Sequence, residues 1–127
     1  MSYSSPLAIF AGKLLLRQGK PFAVTFELAG ADVPAPAGYH FRMQVRADFP
    51  SAAALLSISS EGASPTATVG GIAGAIDIDV DVPGAVTAAI VGTAPALWVA
   101  DGKLYNVAGD VIDCGTYQIV FQPTATP

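Results

Sequence analysis

The sequence predicts an all-β fold, an antiparallel β-sandwich with at most one short helix. The first observation is the alternation of apolar and polar residues in several segments, which gives a strand one buried and one wet face. The second is turn chemistry, because 13 Gly and 10 Pro punctuate the 127 residues. The third is length, since a chain of this size can bury a core without disulfide or metal support. Either an Ig-like sandwich or a flattened barrel satisfies these observations.

Four segments alternate clearly, and each predicts a strand. Their apolar positions are Phe22, Val24, Phe26 and Leu28; Tyr39, Phe41, Met43 and Val45; Ile76, Ile78, Val80 and Val82; and Tyr117, Ile119 and Phe121. The inward-facing core is predicted to include Phe22, Phe26, Phe41, Val45, Ile76, Ile78, Val80 and Ile119. Alternation of this kind requires one sheet face to be buried and the other to remain in solvent.

Turn-forming residues separate the predicted strands. The dipeptide Asp101-Gly102 predicts a two-residue hairpin turn, because Asp-Gly readily adopts positive φ angles. Gly109-Asp110 and Cys114-Gly115 predict two further reversals. Residues 62–74 are rich in Gly, Ala, Ser and Thr and predict a long exposed loop. Residues 84–91 follow a proline and predict a helix of about two turns that crosses between strands.

The pattern divides the chain into an N-terminal arm (1–12), a single sandwich domain (13–122) and a C-terminal tail (123–127). The start has no basic region and Lys13 interrupts its apolar stretch, so no signal peptide is predicted. Residues 82–100 are uncharged, but Ala, Gly and Pro dominate them and acidic residues flank them. We therefore predict a soluble chain without a membrane partner.

Composition narrows the function classes. The formal net charge is −4 and the pI is about 4.5, which disfavours a nucleic-acid groove or an anionic-membrane anchor. One His and one Cys leave little material for a catalytic triad or a zinc cluster, and they exclude an intrachain disulfide. The sequence therefore predicts a protein that is not an enzyme and has no cofactor.

The series Asp77, Asp79 and Asp81 is the weak candidate for a metal site. Its spacing matches the first ligands of a calcium loop, but Val82 replaces the required glycine and Ala88 the closing glutamate. Alternate residues of a strand lie about 7 Å apart, too far for one ion to bind all three carboxylates. A solvated sheet face is the interpretation we favour, and we expect it beside the arginine-bearing face of another strand.

His40, Arg42, Gln44 and Arg46 share the polar side of one predicted strand. Arginine binds oxyanions in a bidentate manner, so a phosphate or an acidic partner fits this side. The alternative, favoured because the chain is acidic overall, is an exposed face that keeps the sheet in solution.

Trp98, Tyr105 and Tyr117 allow two interpretations. They line a sugar- or peptide-binding surface, or they fill the core of the sandwich, as aromatic residues at alternating strand positions more often do. Cys114 has no base near it in sequence and follows a carboxylate that disfavours a thiolate. We predict that this cysteine is small and unreactive.

Several segments in order carry a resemblance to a known family. They are the segments RQGKPFAVTF (17–26), FRMQVR (41–46), IDIDV (76–80) and YQIVF (117–121), followed by a Thr/Pro tail. This arrangement, over residues 13–126, resembles the small β-sandwich domains of tailed bacteriophages and prophages. Those domains occur in tail and baseplate proteins that mount fibres or receptor-binding proteins.

The resemblance implies a non-enzymatic virion structural protein, a tail or baseplate component or adaptor that acts through protein–protein assembly. Made in the host cytoplasm, it resides in the virion, binds other tail proteins and forms a homo-oligomer in the particle. Two alternatives remain: a carbohydrate- or cell-surface-binding module and a capsid decoration protein. The predicted partner contacts, besides the loop 62–74, are Leu7, Ile9, Phe10, Leu14 and Leu16.

Overall fold

The fold was obtained as a computed structural model that describes residues 7–9, 14–47, 53–90 and 94–124. Strands make up 59% of it and helix 5%. The strands are β1 (Leu7–Ile9), β2 (Leu14–Arg17), β3 (Phe22–Ala29), β4 (His40–Arg46), β5 (Ala54–Ser59), β6 (Ala67–Ile72), β7 (Ala75–Val82), β8 (Ala96–Tyr105) and β9 (Val111–Gln122). One helix, α1 (Gly84–Ala88), lies between β7 and β8. No helix of the described part is long and apolar enough to cross a membrane.

Two sheets pack face to face, which confirms the predicted all-β sandwich. The four-stranded sheet has the order β1-β3-β7-β6, and the five-stranded sheet has the order β2-β9-β8-β4-β5. Every pair is antiparallel except β2 with β9, which run parallel. β1 comes from the predicted N-terminal arm, and its backbone pairs with β3.

The core lies between the inner faces of the two sheets, and the predicted strand phases are correct. All eight residues predicted to face inward are buried: Phe22, Phe26, Phe41, Val45, Ile76, Ile78, Val80 and Ile119. Phe26 of β3 meets Phe41 of β4 across the sandwich at a ring-centroid distance of 6.3 Å. Tilted aromatic pairs at such distances stabilise a core beyond the apolar area they bury. The two sheets are thus joined through aromatic side chains.

The predicted turn at Asp101-Gly102 is wrong, because both residues lie inside β8. That strand pairs with β4 on one side and β9 on the other, so ladder bonds on both edges override the local turn preference. A β-carbon on Gly102 would lie 3.2 Å from the Phe41 ring. The glycine therefore serves close packing and a register shift rather than a turn.

The reversal between β8 and β9 instead uses residues 106–110. Asn106 Oδ1 accepts a hydrogen bond from the Asp110 backbone N–H at 3.0 Å, as expected of a local asparagine turn. The reversal predicted at Gly109-Asp110 is therefore confirmed. The one predicted at Cys114-Gly115 is wrong, because both residues lie within β9.

Two other expectations change in detail. Residues 62–74 are not one long loop, because β6 occupies Ala67–Ile72 and pairs antiparallel with β7. The short side chains that predict a loop lie in β6, which is an edge strand. The outer face of an edge strand packs against few other residues, so short side chains are tolerated there. The predicted helix at 84–91 is present but shorter, and ends at Ala88.

Candidate functional site

The outer face of the five-stranded sheet carries a cluster of cations, here called the basic face: Arg42 and Arg46 of β4 with Lys103 of β8. Arg42 stands directly opposite Lys103 in the β4–β8 register, and Gln44 stands opposite Asp101. These five side chains line one shallow depression in the sheet surface. The basic face thus gathers three of the chain's six Lys and Arg residues.

The cations of the basic face differ in how far they are neutralised. Arg46 Nη1 lies 3.2 Å from Asp101 Oδ1, and its Nη2 donates to the Gln44 side-chain oxygen. Within the described part of the chain, neither Arg42 nor Lys103 forms an ion pair or a side-chain hydrogen bond. Lys103 nevertheless stands opposite Asp113 of β9 in register, so its attraction for an external anion is reduced, whereas Arg42 stands opposite Ser59 on its other side.

An aromatic cluster borders the basic face. The rings of His40 and Tyr105, which stand opposite each other in register, have centroids 5.7 Å apart. The Tyr105 hydroxyl donates to the Glu61 carboxylate, and His40 Nε2 lies 3.8 Å from Glu61 Oε1. The hydrogen bond to Glu61 raises the pKa of Tyr105, and partial burial raises it further. The tyrosine therefore stays a neutral donor at physiological pH.

At the opposite end of the same sheet lies an apolar row formed by Leu15, Val120 and Leu97. These residues are in register across β2, β9 and β8. Leu97 is 55% exposed and Leu15 is 40% exposed. Contiguous apolar side chains on a solvent-facing sheet are typical of a surface that another protein covers.

The outer face of the four-stranded sheet is acidic. The acidic face consists of Asp77, Asp79 and Asp81 of β7 with Glu27 of β3, and Glu27 stands opposite Asp77 in register. Thr25 Oγ1 donates to Asp79 Oδ1 at 2.9 Å. The expected neighbourhood with Arg42 and Arg46 is wrong, because those arginines lie on the other sheet.

The three aspartates of the metal candidate occupy alternate positions of one strand. Among residues 7–9, 14–47, 53–90 and 94–124, no three His, Cys, Asp or Glu side chains come together as a metal-binding group.

The predicted partner contacts have different positions in the fold. Leu14 and Leu16 are buried in the chain's own core, which corrects their assignment to a partner surface. Their strand pairs with β9 and points both side chains inward, so only Leu15 between them reaches solvent. Leu7 and Ile9 belong to β1, opposite Ala29 and Glu27 in register. Phe10 lies outside the described residues.

Two of the aromatic candidates belong to the core. Trp98 is buried and stacks on Phe121 with centroids 4.1 Å apart, and Tyr117 lies 5.2 Å from the Phe26 ring. Tyr105 alone of the three named aromatics lies on an outer face. The core-packing interpretation is therefore correct for Trp98, and Tyr117 is a partly buried residue that packs against the same core.

Cys114 is buried inside β9, with its Sγ 3.7 Å from the Ile112 carbonyl oxygen. Burial raises the pKa of this thiol from 9.0 to about 12, and the nearby Asp113 carboxylate also raises it. The Tyr117 hydroxyl donates to the Cys114 carbonyl oxygen at 2.6 Å, and burial raises the pKa of that phenol to about 12 as well.

Sequence reasoning found Arg42, Gln44 and Arg46 but missed Lys103 and the apolar row. The missing information is strand pairing: Lys103 joins the arginines only because β8 lies beside β4.

Compared with models of known protein families, the chain matches none, and a comparison with curated proteins finds no sequence match.

Proposed function

We propose that this chain is a non-enzymatic structural protein of a tailed-bacteriophage virion, a tail or baseplate component or adaptor that acts through protein–protein assembly. The apolar row Leu15, Val120 and Leu97 is the observation that carries the assembly role. The virion context is supported by the resemblance of residues 13–126 to small sandwich domains of phage tail proteins.

The surface chemistry supports assembly in two ways. A chain with 52% hydrophobic and 13% charged residues has few charges to keep separate copies apart. In addition, the apolar row lies on the same sheet face as the polar and charged depression lined by Arg42 and Lys103. A surface that combines apolar side chains with arginine and tyrosine is typical of protein interfaces.

Charge substitution in the apolar row tests the proposal. Leu97→Asp removes an exposed apolar contact from the interface without touching the core, so the variant should fold normally. The particles to test are those assembled from the genome that encodes the chain. We expect incorporation of the variant into these particles to fall at least about tenfold, because burying an unpaired carboxylate in an interface costs binding free energy. The matched control is Val107→Asp, which changes a fully exposed turn residue and should leave incorporation unchanged.

The same experiment separates the alternatives. Recovery of the tagged chain with purified tails supports the proposal, and recovery with tail-free heads would instead indicate a capsid decoration protein. If neither particle fraction contains the chain and it binds a glycan array as a monomer, the assembly function is wrong.

A further inference from the structure

β6 forms one edge of the four-stranded sheet, and its sequence does not protect that edge from pairing with another strand. It has six residues, and none of them is charged or a proline. Of the other edge strands in the described part of the chain, β1 has only three residues, β2 carries Arg17, and the register of β5 shifts against β4. Short edge strands, charged side chains and bulges are the usual protection against strand addition. β6 is therefore the edge most open to another strand.

Ala67 and Val69 direct their backbone hydrogen-bonding groups away from β7. The Asp81 backbone N–H donates to the Thr66 carbonyl oxygen at 2.8 Å, which fixes the alternation along β6. Because successive residues of an antiparallel strand bond to opposite sides, Thr68 bonds toward β7, and Ala67 and Val69 face the sheet edge. In the part of the chain that the structure describes, no residue forms a hydrogen bond to these edge groups. Each of the two residues thus offers one donor and one acceptor.

An open cavity of about 320 Å³ lies along the same edge, where β6 of one sheet approaches the start of β4 in the other. Its lining includes Tyr39, Pro65, Ala67 and Val69. Val69 stands opposite the buried Ile78, so its side chain is on the inner face of the sheet, where it is only half-buried. Strand addition combines backbone bonds at a sheet edge with pockets for alternate side chains. The β6 edge and this cavity provide both.

We propose that β6 of one copy pairs antiparallel with β6 of a second copy of this chain, about a two-fold axis at Thr68. In this register Ala67 stands opposite Val69 of the second copy, and each of the two symmetry-related pairs exchanges both of its N–H···O bonds. Thr68 meets its own counterpart on the outer face, where threonine pairs are favourable. The Val69 side chain of each copy lies over the small Ala67 of the other and enters its cavity. This inference goes beyond the proposed function, because it uses a surface distinct from the apolar row and does not require a virion.

The charge pattern makes a second copy a suitable occupant of the edge. The residues that meet across the axis are uncharged, so pairing brings no like charges into direct register. The nearest carboxylates of the acidic face belong to β7, and three strand spacings separate the two β7 strands in the dimer. At about 4.8 Å per spacing this is about 14 Å, which exceeds the Debye length of about 8 Å at physiological ionic strength. A two-fold pair also uses the β6 edge of both copies, so association through it ends at a dimer.

A cross-link at the axis tests the register. Thr68→Cys is combined with Cys114→Ala, so that residue 68 carries the single cysteine of the chain. Opposed residues of a non-hydrogen-bonded pair have Cα atoms about 4.5 Å apart, a distance that a disulfide spans. The matched control is Thr116→Cys with Cys114→Ala, since Thr116 is an exposed threonine on the inner strand β9. Under mild oxidation we expect at least about tenfold more covalent dimer from the first variant, because pairing holds its thiols at a high effective concentration.

Val69→Pro tests the backbone bonds of the dimer. Proline removes the Val69 N–H, which faces the sheet edge and is not used in bonding to β7. We expect dimerisation, measured by sedimentation over a range of concentrations, to be at least about tenfold weaker, with cooperative thermal unfolding retained. Leu97→Asp in the apolar row is the control and should leave the dimer unchanged. The cross-link needs no proline, so it decides the question even if Val69→Pro does not fold.

Salt dependence provides an independent check. The dimer places two acidic faces side by side, and salt screens the repulsion that remains between them. Raising the ionic strength should therefore leave dimerisation of the unaltered chain as strong as before or strengthen it. A dimer that dissociates at high salt would be held by ion pairs and not by the β6 edge.

The inference is overturned if the unaltered chain stays monomeric at all concentrations, or if Thr68→Cys gives no more covalent dimer than its control. A monomeric chain whose entry into particles is lost through Val69→Pro would show that another protein, and not a second copy, pairs with β6. A chain that dimerises through β6 but never enters particles leaves this inference standing and contradicts the proposed function.

Discussion

Thr87 and Lys20 are joined by a hydrogen bond in which the Thr87 hydroxyl donates to the Lys20 carbonyl oxygen at 2.7 Å. Thr87 lies on α1, and Lys20 lies in the turn between β2 and β3. Among the residues that the structure describes, Thr87 is the one polar residue in the buried class. The bond therefore anchors the helix that leads from one sheet to the other.

We expect Thr87→Val to lower the free energy of unfolding by about 2 kcal/mol. Valine keeps the shape of threonine but leaves the Lys20 carbonyl without its buried donor, and an unsatisfied buried group costs about 1–3 kcal/mol. Thr87→Ser is the matched control, because it keeps the hydroxyl and loses one methyl group, which costs about 0.8 kcal/mol. Urea denaturation measures both variants, and a serine variant less stable than the valine variant would contradict the role of this bond.

The two faces of β4 allow a test of strand phase. Phe41 is fully buried, so Phe41→Ala should cost about 3–5 kcal/mol through lost packing and the cavity that remains. Arg42 is exposed and repelled by Lys103, so Arg42→Ala should change stability by less than about 0.5 kcal/mol. Chemical denaturation of the two variants checks this, and comparable losses at both positions would show that the phase is wrong.

Strand phase was predictable from the sequence because period-two alternation is a local property. Phe22 and Ile119 were assigned to the core correctly without any knowledge of their neighbours. The hydrophobicity of a residue does not show whether it is buried in the chain's own core or against a partner. For this reason the sequence predicts partner contacts at Leu14 and Leu16, which the structure buries in the core. Only the pairing of β2 with β9 decides between these environments.

The candidate site was predictable only in its arginines, because the rest depends on contacts between distant segments. Lys103 stands opposite Arg42, and Glu27 stands opposite Asp77, because of strand pairs that no local sequence pattern specifies. Asp101-Gly102 is a second case in which contacts between distant segments decide the structure. Its turn preference is real, but two flanking strands outweigh it.

Gly70 and Gly71 are neighbours in β6 with opposite tolerance for a side chain. Gly71 has φ +101°, and a β-carbon there would lie 2.3 Å from the Ala75 carbonyl oxygen, whereas a β-carbon on Gly70 meets nothing within 4 Å. Gly71→Ala should therefore cost at least about 1–3 kcal/mol, since it strains both φ and a backbone contact. Gly70→Ala is the control and should be within about 0.5 kcal/mol of the unaltered chain. Similar melting temperatures for the two variants would contradict the hairpin geometry.

Cys114 should make the stability of the fold depend on pH in the alkaline range. Burial raises the pKa of this thiol from 9.0 to about 12, so between those values the unfolded chain loses a proton that the folded chain keeps. The unfolded state then binds fewer protons, and stability falls as pH rises, by up to about 1.4 kcal/mol per pH unit. Below pH 9 this contribution is fully present, and it is lost as pH approaches 12.

Cys114→Ala should flatten this alkaline decline, which urea midpoints at several pH values between 9 and 12 will measure. Some decline should persist, because burial also raises the pKa of Tyr117 from 10.0 to about 12. Tyr117→Phe added to Cys114→Ala should remove most of the remaining decline in stability.

Reaction of Cys114 with a thiol reagent tests its burial independently at pH 8, where a pKa near 12 leaves roughly a thousandfold less thiolate than a pKa near 9. Rapid labelling of the folded chain at that pH would show that Cys114 is not buried as described.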